Sequence, residues 1–199
     1  MTEANTKPPT PLQKLFEFLL YFGYSAERIA PGPDIHFESL LVSLDPTPEK
    51  PSDQPSEAQT VAQIFFSEDI LRDEALEELQ AELARASTLQ FLVMLPVSLT
   101  SLPSERLFEA YQLLMTCSQI IPVGYFGINQ EKQIYLSYAL KAENQNISIA
   151  LITEILELMG FFIQVFLPSF EALATSKQSL AELITGIEKS LAASAQPAA

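Results

Sequence analysis

The sequence predicts an α+β domain in which an antiparallel sheet of about five strands is packed against helices. Three observations predict this class. A β-hairpin pattern between positions 121 and 140 is followed, after a short polar break, by a long apolar helix. Strand-like stretches also alternate with helical spacing before that hairpin. With 48% hydrophobic residues and 13 phenylalanines among 199 residues, the chain can build one buried core.

The first predicted element is a short apolar helix that follows a flexible polar tail at residues 1–9. Thr10 is suited to cap this helix, and Pro11 to begin it, where a missing N–H removes no hydrogen bond. Gly23 supplies the left-handed residue at which helices stop. The apolar residues between these signals recur at helical spacing: Leu12, Leu15, Phe16, Leu19 and Phe22. A single α+β domain is assigned to residues 10–172.

Three strands are predicted in the first half of the chain, over residues 35–44, 60–66 and 89–97. Between them lie two segments of unusual composition. Residues 45–56 are rich in proline, which denies the backbone regular hydrogen bonds, so a mobile loop is predicted. Residues 68–86 combine a leucine stripe with many carboxylates, which predicts an inserted acidic amphipathic helix. Its acidic face is either solvated or a docking surface for a basic partner.

The second half is predicted to begin with a middle helix that Pro103 opens. The apolar face of this helix contains Leu107, Phe108, Tyr111, Leu114 and Met115. A hairpin follows, in which strands at 121–128 and 133–140 are joined by a polar turn at 129–132. The last element is an amphipathic helix within residues 173–199, which ends in a flexible tail.

The long helix is predicted to run from Ser148 to about Leu167 and to carry two apolar seams. The first seam contains Ile149, Ile152, Leu156, Met159, Ile163 and Phe166. The second seam contains Leu151, Ile155, Leu158, Phe162 and Val165. A helix that is apolar over most of its circumference has to be buried on more than one side. Two interpretations stay open: it lies between the sheet and the first helix of its own chain, or part of it forms an interface.

Composition and charge exclude several classes of partner. The formal net charge is −14, and the 11 basic residues are scattered singly along the chain. Nucleic-acid binding requires clustered Lys and Arg, and an anionic membrane surface would repel such a protein. The apolar run at 158–170 is too short to predict membrane insertion, and the first residues do not resemble a secretory signal. The single cysteine fits a reducing compartment, so a cytoplasmic protein is predicted.

The sequence offers no recognisable equipment for catalysis, metal binding or a cofactor. His36 is the only histidine, so a catalytic triad or a Cys/His zinc site lacks its residues. Cys117, late in the middle helix, is interpreted as a buried structural thiol. Gly124 and Gly127 have no basic neighbours, which favours strand packing over phosphate or RNA binding. The sequence therefore predicts a protein that is not an enzyme and holds no cofactor.

The second half resembles the YbjN-like family of the type III secretion chaperone-like fold. The resemblance rests on the middle helix at 107–119, the strand entry Ile121-Pro122-Val123-Gly124-Tyr125-Phe126, the returning strand at 134–140 and the helix end at 165–170. It covers residues 100–172, whereas the first half agrees only in its order of elements. Thr116-Cys117-Ser118 stands where the family often has polar asparagines. The resemblance implies a chaperone-like fold and a non-enzymatic, often dimeric protein that holds or regulates other proteins.

The predicted function is that of a protein-binding or chaperone-like adaptor that shields an apolar segment of a client protein. Client-binding residues are predicted on the hairpin and the second seam: Tyr125, Tyr135, Phe162 and Val165. A homodimer is predicted through the middle helix, with Phe108, Tyr111 and Met115 at its interface. The alternative is a sensor domain that binds a small apolar ligand between the sheet and the long helix. An exposed groove would favour the adaptor, and a closed cavity of about 300 Å³ or more the sensor.

Overall fold

The structure is a computed structural model that describes residues 9–32, 36–45, 60–70, 86–143 and 145–194. In chain order its elements are α1 (Pro11–Tyr21), β1 (Ala26–Ile29), β2 (Ser39–Ser43), β3 (Val61–Phe66), α2 (Ser67–Ile70), β4 (Ala86–Ser98), α3 (Ser104–Ile120), β5 (Tyr125–Ile128), β6 (Gln133–Glu143), α4 (Ile149–Thr175) and α5 (Leu180–Ser194). The predicted α+β class is confirmed.

The six strands form one antiparallel sheet in the order β1-β2-β3-β4-β6-β5. The sequence predicted about five strands, and the one it missed is β1. This strand is short and contains Glu27 and Arg28, so its local pattern does not indicate a strand. Its conformation comes from pairing with β2, where Ala26 lies opposite Val42 and Ile29 opposite Ser39. The short strands β1 and β5 therefore form the two edges of the sheet.

The hairpin β5–β6 is confirmed, although its first strand begins four residues later than predicted. Gly124 has a φ of +77°, a left-handed conformation that interrupts the extended backbone before Tyr125. The polar turn is closed by three hydrogen bonds, one from the Lys132 amide to the Asn129 carbonyl over 3.0 Å and two between Asn129 and Gln133. The Asn129 amide donates to the Gln133 carbonyl over 3.0 Å, and the Gln133 amide donates to Asn129 Oδ1 over 2.8 Å.

Side chains alternate between two faces of the sheet. The helix-covered face carries the buried residues of the strands: Leu40, Val42, Ala62, Ile64, Phe66, Leu89, Phe91, Val93, Phe126, Ile134 and Leu136. Helices α1, α3, α4 and α5 insert buried side chains into the same core cluster. The second face carries half-buried side chains, among them Leu41, Leu92 and Tyr135.

Helix α1 packs beside β1 and β2, whereas α3 packs beside β5, so the two helices lie at opposite edges of the sheet. Both predicted end signals of α1 are confirmed. Thr10 caps the helix by accepting a hydrogen bond from the Gln13 amide over 3.1 Å, and Gly23 follows its end with a φ of +83°. Phe22, predicted on the apolar face, is instead the exposed residue just after the last turn.

Helix α4 is longer than predicted, because it continues through Pro168 to Thr175. A proline inside a helix removes one backbone hydrogen bond, but Pro168 lies on the solvent side. Beyond it Phe170 and Leu173 continue the buried stripe. The helix persists because this packing outweighs the lost hydrogen bond.

The domain boundary that the sequence placed at residue 172 falls inside α4. Helix α5 also belongs to the same core, because Leu183 and Ile187 are buried in the cluster that contains the sheet. The C-terminal helix is therefore packed as part of the domain.

By length and composition α4 could also cross a membrane. Its most apolar window of 18 residues has a mean hydropathy of 1.9, and 44% of that window is buried inside the protein. The apolar run considered in the sequence ended at Phe170, whereas the helix itself spans 27 residues. Its inward side supplies buried residues to the core of the α+β domain.

Two predictions lie mostly outside the described residues. Of the proline-rich loop predicted at 45–56, only Asp45 is described. Of the acidic helix predicted at 68–86, the described parts are the end of α2 and the first residue of β4.

Candidate functional site

A groove of about 810 Å³ opens at the β1–β2 edge of the molecule. Its walls are the end of α1, the end of β2 and the N-terminal half of α4. Its lining combines polar side chains with large apolar ones: Phe18, Phe22, Leu44, Leu156 and Phe161. We call this feature the α1–α4 groove. It is open to solvent, so a long ligand can enter it from outside.

The α1 wall of this groove is fixed by a tight helix end. Gly23 takes a left-handed conformation, which lets the Tyr24 amide donate to the Leu19 carbonyl over 2.9 Å. This bond turns the chain so that Tyr24 lines the groove and reaches α4. The Tyr24 hydroxyl donates a hydrogen bond to Glu157 Oε1 over 3.4 Å. This long hydrogen bond links the segment that follows α1 to helix α4.

The α4 wall approaches β2 closely at Gly160. This residue is buried, and a Cβ placed on it would lie 3.4 Å from the Leu44 carbonyl oxygen. That distance is an ordinary van der Waals contact, so the glycine widens the groove by about one methyl group. The backbone of Gly160 therefore forms part of the groove's floor.

Aromatic side chains stand exposed at the mouth of the groove. Tyr21 is 85% exposed, Phe22 58% and Phe161 40%. Phe18 and Phe22 pack ring against ring with centroids 4.3 Å apart, and Tyr21 meets Phe22 edge to face at 5.3 Å. This cluster extends the apolar surface of the groove outwards.

The charge of the groove is negative. Two carboxylates, Asp45 and Glu157, are among the lining residues, and the described part of the lining contains no lysine or arginine. Asp45 accepts the Thr60 amide over 2.7 Å, and Glu157 accepts the Tyr24 hydroxyl. Burial, then the nearby charge of Glu157 and then that hydrogen bond raise the pKa of Tyr24, so its hydroxyl remains a donor at neutral pH.

A second apolar surface lies on α3, at the opposite edge of the sheet. Phe108 is 64% exposed, Tyr111 53% and Met115 62%, and together they form a stripe along the helix. We call it the α3 stripe. These three residues were predicted at a dimer interface, and the structure brings them together on one exposed face.

The α3 stripe is held in place by contacts at both ends of its helix. Near the start, Arg106 pairs with Glu109 and donates to the Ser176 carbonyl, at the end of α4, over 3.1 Å. Near the end, Ser118 donates to the Leu114 carbonyl over 2.7 Å and accepts from the Phe126 amide over 2.9 Å. Ser118, one of the three positions that depart from the family pattern, thus joins α3 to the edge strand.

The predicted client-binding residues of the hairpin meet on the second face of the sheet. Tyr125 is exposed and Tyr135 half-buried, with ring centroids 6.3 Å apart in an edge-to-face arrangement. The Tyr135 ring covers Gly127, where an added Cβ would lie 2.4 Å from its nearest ring atom. Burial, followed by its interaction with Tyr125, raises the pKa of Tyr135.

The predicted helix residues lie on the other side of the sheet from these tyrosines. Phe162 and Val165 are half-buried on α4, and Phe162 packs against Phe166 with ring centroids 5.7 Å apart. Phe166 in turn contacts Phe126 on the helix-covered face. Neighbouring residues of a strand point to opposite faces. The four predicted residues therefore do not form one surface.

Two other residues considered from the sequence offer no chemistry here. Cys117 is buried, as predicted, and burial raises the pKa of its thiol to about 12, so it is not a nucleophile at neutral pH. His36 is exposed and lies before β2. Within the described part of the chain, no three His, Cys, Asp or Glu side chains converge as they would at a metal site.

Sequence reasoning missed the groove itself. Its aromatic mouth had a signal, because Phe18, Tyr21, Phe22 and Tyr24 cluster around the helix-stopping Gly23. Glu157 and Phe161 gave no such signal, since both lie on a helix where charged and apolar residues are ordinary. Only the approach of α4 to α1 assembles them.

Comparison with protein-family models, with curated proteins and with solved structures gave no significant match.

Proposed function

We propose that this chain is a non-enzymatic, chaperone-like adaptor of the cytoplasm that binds an apolar segment of a client protein in the α1–α4 groove. The observation that carries the proposal is the cluster of exposed aromatic side chains around an open groove. Large contiguous apolar patches are rare on the surface of soluble domains, and those that occur often mark an interaction site. Aromatic residues are also the side chains that contribute most to binding at protein interfaces.

The proposed mechanism is passive shielding. A client segment in the groove would remove the rings of Phe22 and Phe161 from water, and each buried square ångström of apolar surface contributes about 25 cal/mol. The rest of the chain keeps the complex soluble, because a net charge of −14 disfavours non-specific aggregation of the loaded protein. Neither step requires a reacting group.

We further propose that the chain forms a homodimer through the α3 stripe. Phe108, Tyr111 and Met115 are exposed on one helix face, and a two-fold axis would place the stripe against its own copy. The α3 stripe and the α1–α4 groove lie at opposite edges of the sheet. A dimer of this kind leaves both grooves open, so two client segments can be held at once.

A small apolar ligand is the second candidate occupant of the groove. Its volume of about 810 Å³ lies within the range of about 300–1,000 Å³ that is usual for small-molecule sites, and Tyr24 with Glu157 offers a polar anchor. The open mouth favours the first function, because small-molecule sites enclose most of their ligand. A small ligand in the groove would also leave the exposed ring of Tyr21 uncovered.

Selection from a displayed library of random peptides tests the adaptor function. Peptides enriched on the wild-type protein should bind the variant Phe22→Ala/Phe161→Ala about 30-fold more weakly, because two interface aromatics contribute about 2 kcal/mol. Calorimetry measures both affinities. Both rings are exposed, so the variant should keep its circular dichroism spectrum and its melting temperature within a few degrees.

The matched control is Phe108→Ala, which removes an equally exposed phenylalanine at the other edge of the sheet. It should leave peptide affinity unchanged. Failure to enrich any peptide, or equal binding by wild type and the double variant, would remove the groove as a client site. A thermal shift with small amphiphiles but not with peptides would favour the sensor function.

A further inference from the structure

Several backbone groups around the α1–α4 groove are already hydrogen-bonded within the protein. At the end of α1, the carbonyls of Phe18, Leu19 and Leu20 accept the amides of Phe22, Tyr24 and Gly23. At the β2 wall, the Ser43 amide donates to the Ser25 carbonyl and the Leu44 amide to the Thr60 carbonyl, both over 2.9 Å. The α4 wall is helical, so its interior amides and carbonyls bond to each other.

This pairing discriminates between two kinds of client segment. An extended segment that enters an apolar groove needs partners for its own amides and carbonyls, and burying them without partners costs free energy. A helix satisfies these groups internally and presents only side chains. Its apolar stripe, repeated every three to four residues, can pack against the apolar side chains that α1 and α4 present to the groove, such as Phe22 and Phe161. The groove therefore favours a helical segment over an extended one.

The charge of the groove sets a second requirement. Asp45 and Glu157 are exposed residues that lie along the lining, and among the lining residues that the structure describes no lysine or arginine accompanies them. A helix with lysine or arginine beside its apolar face would place positive charge near these carboxylates, and a helix with glutamate there would be repelled. The aromatic rings of Phe22 and Phe161 also accept cations on their faces.

We propose that the natural occupant of the α1–α4 groove is an amphipathic α-helix of the client whose apolar face is bordered by lysine or arginine. This proposal rests on the proposed function, and it names the conformation and the charge of the client segment. Glu157 is the residue that selects the charge, because it is an exposed carboxylate on the α4 wall, one helical turn before Phe161.

Three synthetic peptides of about 18 residues, long enough to form helix, test the proposal. The first has Leu and Phe on one helical face and Lys at the borders of that face. The second replaces each Lys with Glu, and the third keeps Lys but has Pro at its centre, which breaks the helix. Fluorescence anisotropy measures the affinity of each labelled peptide, and circular dichroism measures the helix gained on binding.

Each peptide is measured against the wild type and two charge-reversed variants. Glu157→Lys alters the groove. Glu131→Lys makes the same change in net charge at the exposed hairpin turn, on the opposite edge of the sheet. Both residues are exposed, but Glu157→Lys also loses the hydrogen bond from Tyr24. Circular dichroism and thermal melting must therefore show that both variants fold like the wild type. The Phe22→Ala/Phe161→Ala variant reports whether each peptide occupies the groove.

We expect the Lys peptide to bind the wild type about tenfold more tightly than the Glu peptide, since both rim charges act together. Glu157→Lys should lower the affinity for the Lys peptide by about three- to fivefold and raise the affinity for the Glu peptide. Glu131→Lys should change either affinity by less than about twofold. The Pro peptide should bind at least about tenfold more weakly than its helical parent.

Equal loss of the Lys peptide in both charge-reversed variants would overturn the charge assignment, because net charge alone would explain it. Equal binding of the Pro and Lys peptides would overturn the helical assignment. In both cases, binding that still depends on Phe22 and Phe161 would leave the proposed function intact. If none of the three peptides binds and the displayed library also yields no binder, the proposed function itself fails.

Discussion

The α1–α4 groove and the α3 stripe are both exposed and apolar, but they differ in shape and charge. The groove is concave, lies between two helices and carries the carboxylates of Asp45 and Glu157. The stripe runs along one face of a single helix and projects from it. A concave acidic site selects a partner of complementary shape and charge. A convex stripe on one helix suits contact with its own copy across a two-fold axis.

The two regions also depend on the fold in different ways. The groove needs α1, β2 and α4 to meet, so residues far apart in sequence have to be placed correctly. The stripe needs only the helix α3 and its anchors at Arg106 and Ser118. Helix α4 joins the two regions, because its first half walls the groove and its last turns accept the contact from α3.

The largest expected effect is on stability, at Gly124 in the segment that joins α3 to β5. Gly124→Ala places a Cβ 2.4 Å from the Ser137 carbonyl oxygen in a backbone with a φ of +77°. We expect the free energy of unfolding to fall by about 3 kcal/mol, the sum of left-handed strain and overpacking. Urea denaturation measures the loss.

Gly186→Ala is the matched control for that substitution. No atom lies within 4 Å of the added Cβ, and the residue lies inside α5. Alanine should therefore raise stability by up to about 1 kcal/mol through its higher helix propensity. If Gly124→Ala is as stable as Gly186→Ala, the segment between α3 and β5 does not need glycine.

The next largest effects are on binding, and they distinguish the α3 stripe from the α1–α4 groove. Phe108→Ala with Met115→Ala should weaken the proposed dimer by about 2 kcal/mol, or about 30-fold in its dissociation constant, while peptide affinity stays unchanged. Light scattering over a concentration series measures the dimer. The groove variant Phe22→Ala/Phe161→Ala should show the opposite pattern. A monomeric wild type at micromolar concentration would contradict the dimer.

A smaller effect is expected at the hairpin, on the second face of the sheet. Tyr125→Ala removes a ring that is 53% exposed and contacts Tyr135 edge to face, so stability should fall by less than about 1.5 kcal/mol. Peptide affinity at the groove should change by less than about twofold, because the sheet separates the two sites. A large loss of affinity would return the client site to the hairpin, where the sequence placed it.

The smallest effect on stability is expected at Gly160. Alanine there fits at 3.4 Å from the Leu44 carbonyl oxygen and has a higher helix propensity, so stability should rise by up to about 1 kcal/mol. The added methyl group narrows the groove, so peptide affinity should fall while the protein becomes more stable. Thermal melting and anisotropy measure the two effects on the same sample. Unchanged affinity would place the client away from this part of the floor.

Most of the fold follows from local patterns in the sequence. Thr10 and Gly23 bound α1, and the turn at 129–132 closes the hairpin, because caps and turns are decided by neighbouring residues. The prediction missed strand β1 and ended α4 too early, because local patterns do not include contacts between residues distant in sequence. Pairing with β2 makes a strand of Ala26–Ile29, and packing of Phe170 carries a helix past Pro168. Both are tertiary effects that a local pattern does not contain.

The candidate sites divide in the same way. The α3 stripe was predictable, because three exposed residues on one helix share a face through their spacing alone. The groove was not predictable, because Tyr24 and Glu157 are 133 residues apart and meet only through the packing of α4. The pairing of Tyr125 with Phe162 also failed to form a surface, because it ignored which face of the sheet the long helix covers.

The burial of Cys117 gives the protein a built-in reporter of its own opening. Because the thiol is fully shielded and its pKa is raised to about 12, a thiol reagent at neutral pH can modify it only when α3 separates from the core. The modification rate at low reagent concentration then gives the free energy of that opening, as hydrogen exchange does for a single amide. Since the chain has one cysteine, the signal comes from one position.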